Sequence, residues 1–136
     1  MQETTSSNME ITVSKPWGQY TVLHRAPGYL VKEIIVNEGH RLSLQSHLHR
    51  WEIWNILECD IAYLTTSQWI ADASGGRHHL DCLDYTMLLP NTTHRIQPTQ
   101  IHRVEAIKGT LKFIEVQIGE TLDEKDITRY QDDYKR

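Results

Sequence analysis

The sequence has little of the features that mark several special classes of protein. Its two cysteines, Cys59 and Cys82, are far apart and form no CxxC pair, so we expect both to remain reduced, structural thiols. No apolar run approaches the ~18 residues of a membrane span, and residues 1–10 lack the apolar centre of a signal peptide. We therefore expect a cytoplasmic protein with no membrane contact.

Positive charge is also scarce. Lysine and arginine number 14 against 18 acidic residues, which gives a net charge of -4. Phosphate-backbone binding needs clustered positive charge, so this balance argues against a nucleic-acid-binding protein. With 39% hydrophobic and 24% charged residues the chain has an ordinary globular composition. At 136 residues one domain with its own core is expected, and stability alone does not require a metal.

The order of apolar and turn-forming residues predicts an all-β protein. Residues 1–10 are polar without periodicity and are expected to be disordered, and residues 11–136 are expected to form one domain. Turn formers separate several of the predicted strands: Ile11–Val13, Tyr20–Leu23, Tyr29–Val36, Arg41–His49, Glu52–Leu57, Ile61–Thr65, Tyr85–Leu89 and Leu111–Ile118. A hairpin tip is expected at Ser74–Gly76. Only Leu122–Tyr134 has a helical pattern, with Thr121 as N-cap.

Eight histidines are many for this length, and their spacing suggests a metal site. Residues two apart on a strand share a face, so Gln45 and His47 project the same way and His49 continues the row. Glu52 breaks this parity, but a β-bulge after His49 would return its carboxylate to the same side. These side chains offer nitrogen and oxygen ligands on one face, although an isolated HxH is more often a surface strand.

A second segment strengthens the metal interpretation. Residues 91–102 read as a turn, a short strand, a turn containing Pro98, and His102 entering the next strand. Together the two segments resemble the paired motifs of cupins, small jelly-roll barrels. Gln45 stands where the first motif usually has histidine, and Asn91, Gln97 and Thr99 stand at the Gly, Pro and Gly positions of the second. The resemblance implies one metal ion bound by Gln45, His47, Glu52 and His102.

The flanking residues narrow the resemblance to the type II mannose-6-phosphate isomerase cupin, a module often fused to mannose-1-phosphate guanylyltransferase. The matching stretches run from Lys15 to the end of the chain: Lys15–Tyr20, Val31–Lys32, Leu42–Arg50, Glu52, His102–Glu105, Ile114–Gln117 and Glu124–Arg129 through Tyr134. The chain departs from the family at Ile53, where histidine is usual, at Cys59–Asp60, where Gly-Thr is usual, and in a longer region at residues 67–89. The transferase half is absent from these 136 residues, so the resemblance implies isomerase chemistry alone.

Two histidines compete for the fourth ligand position. Leu89–Arg95 also resembles a turn followed by His-Arg, which makes His94 the alternative to His102. The spacing from Pro90 to His94 is one residue short for the motif. The spacing from His102 to Glu115 fits, and this favours His102.

Other polar residues are candidates for catalysis and substrate binding. Glu115 alternates with apolar residues on a late strand, and inside a barrel it would be either a proton carrier or the partner of an interior cation. His49 is a candidate for contact with substrate oxygens, and Arg41 shares strand parity with Gln45 and is expected near the barrel mouth. The candidate cations for a phosphate group are Lys32, Arg41, Arg50 and Arg103.

The resemblance predicts a metal-dependent isomerase that interconverts mannose 6-phosphate and fructose 6-phosphate through an enediol. The mixed donor set suits zinc, manganese, iron, cobalt or nickel. Two alternatives stay open: a non-catalytic sugar or sugar-nucleotide binding cupin, and another cupin enzyme such as an epimerase or oxygenase. We also expect a homodimer, in which Ile11–Val13 pairs with a second copy.

Overall fold

The structure is a computed structural model, and it describes residues 10–70 and 83–135. The hairpin tip expected at Ser74–Gly76 lies outside these residues, as do Cys82 and nearly all of the amino-terminal segment expected to be disordered. Across the described ranges no helix is long and apolar enough to cross a membrane.

The described residues form two antiparallel sheets. The strands are β1 Ile11–Lys15, β2 Gly18–Ala26, β3 Tyr29–Val36, β4 Leu44–Ser46, β5 Trp51–Glu58, β6 Ile61–Ile70, β7 Leu83–Met87, β8 Thr93–Ile96, β9 Gln100–Lys108, β10 Leu111–Ile118 and β11 Thr128–Gln131. One sheet has the order β1-β2-β3-β10-β5-β8, and the other has the order β11-β4-β9-β6-β7. Consecutive strands such as β4 and β5 therefore lie in different sheets, which confirms the predicted all-β barrel class.

The alternation of residues along β3 and β10 sets the inside of the barrel. Both strands have the bounds predicted from the sequence, and every second residue of each is buried. The buried residues of β10 are, in chain order, the apolar Leu111 and Phe113 and the polar Glu115 and Gln117. The inward row thus changes from apolar to polar along one strand, so the barrel has an apolar core at one end and a polar cavity at the other.

The apolar end holds the core that stabilises the barrel. Trp54 and Phe113 from one sheet pack with their ring centroids 4.7 Å apart, and Leu64 and Val104 from the other sheet belong to the same cluster. Burying an aromatic side chain of this size contributes about 2–3 kcal/mol. None of the expected metal ligands Gln45, His47, Glu52 and His102 belongs to this cluster.

The helix predicted at Leu122–Tyr134 is wrong: this segment contains β11, which pairs with β4. Its polar side chains bind other elements instead of supporting a helix. Tyr130 bonds Ser46 at 2.9 Å, and Asp133 accepts bonds from the Arg41 guanidinium at 2.7 and 2.9 Å. These tertiary contacts outweigh the modest helix propensity of the segment, and the carboxyl-terminal chain crosses the polar end of the barrel.

Candidate metal centre

Three potential metal ligands meet at the polar end, from three different places in the chain. His47 directly follows β4, Glu52 is the second residue of β5, and His102 lies on β9 beside Gln45. The carboxylate of Glu52 does not reach His47 through the expected β-bulge. The chain leaves the five-stranded sheet after His47 and enters the six-stranded sheet at Trp51, so Glu52 faces His47 across the barrel.

The distances within this group are short enough for the three side chains to hold one ion. The Nε2 atom of His47 lies 3.1 Å from Oε2 of Glu52, and Nε2 of His102 lies 3.6 Å from Oε1. One ligand atom from each of the three residues lies within 4.8 Å of the other two, and all three side chains are buried. Two imidazoles and a carboxylate are a common donor set for transition metals.

Both imidazoles are held with the correct nitrogen facing inward. Nδ1 of His47 donates to the carbonyl of Asp126 at 2.7 Å, and Nδ1 of His102 donates to the carbonyl of Gln100 at 2.9 Å. A carbonyl only accepts, so each Nδ1 carries a proton and each Nε2 faces Glu52. Burial lowers the pKa of His102 to about 4, which keeps this imidazole neutral at physiological pH. Such outer hydrogen bonds orient metal-binding histidines.

Two further polar groups in the cavity wall fit a bound ion. The Gln45 amide donates to the carbonyl of Ser43 at 3.3 Å, which leaves its oxygen to act as a donor atom for an ion. The buried hydroxyl of Ser43 has no hydrogen-bond partner among residues 10–70 and 83–135. A buried unsatisfied hydroxyl costs about 1–3 kcal/mol, and a bound water or substrate oxygen would satisfy it. The residues present therefore fit a metal ion with an accompanying polar ligand.

A buried arginine neutralises the carboxylate of this group. Arg50 donates through Nε to Oε2 of Glu52 at 2.9 Å, and its Nη2 lies 2.8 Å from the same oxygen and 3.2 Å from Nε2 of His47. Burial opposes ionisation of Glu52, but the hydrogen bond with His47 and the charge of Arg50 hold the pKa of Glu52 well below its usual range. Glu52 is thus an anion over the whole physiological pH range.

The second motif has the backbone shape that its glycine positions require. Asn91 and Thr99 both have positive φ angles, 66° and 68°, in the left-handed region that favours glycine. The amide of Thr99 also donates to the carbonyl of His47 at 2.6 Å, so this turn packs against the first motif. The backbone therefore supports reading residues 91–102 in the cupin register.

A second carboxyl group lies in the same cavity, whose volume is about 160 Å³. Glu115 is 5% exposed and accepts a hydrogen bond from the Gln117 amide at 2.9 Å. Burial, and then the negative charge of Glu52, raise the pKa of Glu115 to about 7. Of the two fully buried carboxyl groups in the cavity, Glu52 is therefore permanently ionised and Glu115 can gain or lose a proton near neutral pH.

The structure brings together most of the residues selected from the sequence, but not all. The cavity is lined by Lys32, Gln45, His47, Arg50, Glu52, His102 and Glu115 among others. The remaining four candidates lie outside this lining. His49 is exposed in the turn before β5, and His94, on β8, is hydrogen-bonded to Thr92 at 3.0 Å. Arg41 pairs with Asp133, and Arg103 binds the carbonyl of Leu42 and the side chain of Gln131.

Sequence reasoning missed three residues that support the centre. Asp126 holds His47 through its carbonyl, and its carboxylate accepts the amides of Leu48 and His49 at 2.8 and 2.9 Å. Trp54 donates its indole N–H to Oε1 of Glu52 at 3.1 Å, and Glu124 forms an ion pair with Lys32. Asp126 and Glu124 were assigned to the predicted helix, and periodicity alone gave no reason to place them at the cavity.

Known protein sequences match nearly the whole chain. The family described as mannose-6-phosphate isomerase C-terminal matches residues 2–132. The alginate biosynthesis protein AlgA of Pseudomonas aeruginosa is 36% identical over 126 residues, covering 91% of this chain and 23% of that protein. A mannose-1-phosphate guanylyltransferase of Salmonella muenchen is 34% identical, with 89% and 22% covered. The chain thus spans about a quarter of the length of these curated relatives.

Solved structures share the fold at low sequence identity. The capsular polysaccharide assembling protein CapF of Staphylococcus aureus has a TM-score of 0.70 at 13% identity, covering 90% of this chain and 32% of that chain. Oxalate decarboxylase of Bacillus subtilis, a protein with Mn(II) centres, has a TM-score of 0.66 at 13% identity, with 88% and 29% covered. Both neighbours are cupins, which confirms the expected cupin fold.

Proposed function

The chain belongs to the family of mannose-6-phosphate isomerase C-terminal domains, and on that premise we propose that it interconverts mannose 6-phosphate and fructose 6-phosphate with the help of one divalent metal ion. The observation that carries the proposal is that Glu115 lines the same cavity as the three potential ligands His47, Glu52 and His102. Isomerisation of an aldose to a ketose needs polarisation of a carbonyl and a group that moves a proton.

His47, Glu52 and His102, with the oxygen of Gln45, would hold the ion. The donor set suits zinc, manganese, iron, cobalt or nickel. When bound, the ion supplies a positive charge that polarises the substrate carbonyl. The protein orients this set through the carbonyls that accept from the two imidazoles, and Arg50 balances the charge of Glu52.

Glu115 is the group that would carry the proton between C1 and C2 of the sugar. A general base works best when its pKa lies near the operating pH, and the Glu115 pKa of about 7 meets this condition. The hydrogen bond from Gln117 fixes the carboxyl group in place. As a carboxylate Glu115 would remove the proton from C2 to form the enediolate, and as a carboxylic acid it would return that proton to C1, while the hydroxyl proton on O2 passes to O1 so that the C2 carbonyl forms.

The polar cavity also favours a charged sugar as substrate. Lys32 and Arg50 are both buried and line the cavity beside the two carboxyl groups. Arg41 and Arg103 bind the carboxyl-terminal segment, so we assign substrate contact to Lys32 and Arg50. His49 lies outside the cavity lining and takes no part in the proposed reaction.

A coupled isomerase assay after metal reconstitution tests the proposal. The metal-loaded chain should convert mannose 6-phosphate, and Glu115→Gln should lower kcat by at least about a hundredfold while metal content stays unchanged. Glu58→Gln is the matched control, because Glu58 is exposed at the end of β5. A metal-loaded protein without turnover would refute the isomerase and favour a sugar-binding cupin, and turnover of another substrate or oxygen uptake would favour a different cupin enzyme.

We further propose that the protein is a cytoplasmic homodimer. β1 is an edge strand of the six-stranded sheet, pairing with β2 of its own chain on one side, and Ile11 is 60% exposed there. An exposed strand edge offers unpaired backbone groups to a second copy. Sedimentation at micromolar concentration should show the dimer, and a monomer would refute this assignment.

A further inference from the structure

Two lysines converge on one tyrosine at the polar end of the barrel. The ammonium groups of Lys15 and Lys32 lie 5.9 and 4.1 Å from the ring centroid of Tyr20. The three residues come from the neighbouring strands β1, β3 and β2, and all three line the cavity. We call Lys15, Tyr20 and Lys32 the lysine pocket.

The charge that balances this pocket comes from a distant part of the chain. Glu124, in the segment between β10 and β11, forms an ion pair with Lys32. The side chain of Lys32 is 5% exposed, whereas that of Glu124 is 56% exposed. Partial burial favours the neutral form of Glu124, but the charges of Lys32, Arg50 and Lys15 hold its pKa below the usual range. One carboxylate thus lies in the field of three cations.

The free-energy cost of leaving the ion pair differs between its two members. Lys32 is fixed on a central strand, and leaving its buried ammonium group without an anion would be costly. Glu124 already reaches water over half of its side chain, so its carboxylate can leave at low cost. A dianion brings more charge to the three cations than a carboxylate does, and a phosphate monoester carries that charge together with several acceptor oxygens.

We propose that the lysine pocket is the binding site for the phosphate group of the substrate, and that Glu124 occupies it until a phosphate displaces it. This inference rests on the proposed function in that it gives the sugar its phosphate anchor. Glu124 is then an internal competitor that neutralises Lys32 in the free protein. The same competition makes the cavity selective for phosphorylated sugars over neutral ones.

Titration of inorganic phosphate into the full chain, with chelator present so that no metal binds the phosphate, tests the competition. Glu124→Gln should bind phosphate about tenfold more tightly, because a site blocked nine-tenths of the time loses tenfold in apparent affinity. Lys32→Met should weaken binding at least about tenfold. Glu120→Gln and Lys108→Met, exposed residues outside the cavity lining, are the matched charge controls. Lys15→Met gives a second loss if Lys32→Met does not fold.

The result that overturns the proposal is a Glu124→Gln protein whose phosphate affinity is unchanged or weaker, or a folded Lys32→Met protein that binds like the original. An equal gain in Glu120→Gln would also overturn it, since the effect would then be one of net charge. In the metal-loaded enzyme, Glu124→Gln should lower KM for mannose 6-phosphate and leave inhibition by mannose unchanged. The phosphate titration does not need turnover, so it can succeed where the isomerase assay fails and fail where that assay succeeds.

Discussion

Replacing Glu115 with glutamine should stabilise the metal-free protein at pH 8 and leave its stability nearly unchanged at pH 4. Glu115 is buried next to the charge of Glu52, and these two causes raise its pKa from 4.5 to about 7. The folded protein therefore holds this proton more tightly than the unfolded chain. The stability that the neutral carboxyl allows is fully present below pH 4.5 and is lost as the pH rises through 7.

The expected difference in unfolding free energy follows from the pKa shift of Glu115. Each pKa unit corresponds to about 1.4 kcal/mol, so a rise from 4.5 to about 7 amounts to about 3 kcal/mol between the two pH limits. Glutamine is neutral at every pH and keeps an acceptor oxygen for the bond from Gln117. The variant should therefore avoid the loss above pH 7, and the difference in unfolding free energy should grow with pH to about 3 kcal/mol.

Urea unfolding of both proteins at pH 4, 6 and 8, with chelator present and followed by far-ultraviolet circular dichroism, measures this difference. Chelation is needed because a bound cation would stabilise the ionised form of Glu115. The exposed-site variant Glu58→Gln should show no such growth with pH. A difference that is constant with pH, or an original protein that is the more stable one at pH 8, would refute the burial argument for Glu115.

Four further outcomes are expected. Chelation should abolish turnover while the far-ultraviolet circular dichroism spectrum stays that of a β protein. In elemental analysis, His47→Ala should have lower metal occupancy, whereas His94→Ala should keep most of the metal. Asp126→Ala removes the acceptor of the Leu48 and His49 amides but keeps the backbone carbonyl that accepts from His47, so metal affinity by calorimetry should fall about tenfold. Asp123→Ala is the same-segment control, and an equal fall in both variants is the contrary result. Thr99→Gly should raise the unfolding free energy in urea by about 1 kcal/mol, because Thr99 has a φ of 68°; a loss of stability would show that the turn depends on the threonine side chain.

Local patterns in the sequence were enough to identify several of the strands and the types of ligand. Alternation of buried and exposed residues correctly bounded Tyr29–Val36 and Leu111–Ile118, because the period of two is a property of each strand by itself. The resemblance to the cupin motifs selected His47, Glu52 and His102, and the positive φ angles at Asn91 and Thr99 agree with the motif register that favoured His102 over His94.

Only the tertiary structure determined which segments of the chain bring their side chains to the cavity. Glu52 meets His47 because the chain changes sheets between them, a step that face parity along one strand cannot describe. The segment after β10 contains a strand and brings Asp126 and Glu124 to the cavity. Their partners, His47 and Lys32, lie about 80–90 residues away in sequence, so no local pattern could reveal these contacts. Helix propensity is a sum of small local free energies, and long-range pairing and ion pairs at the barrel end exceed that sum. The sequence thus determined which side chains could bind a metal, and the pairing of distant strands determined which of them share one cavity.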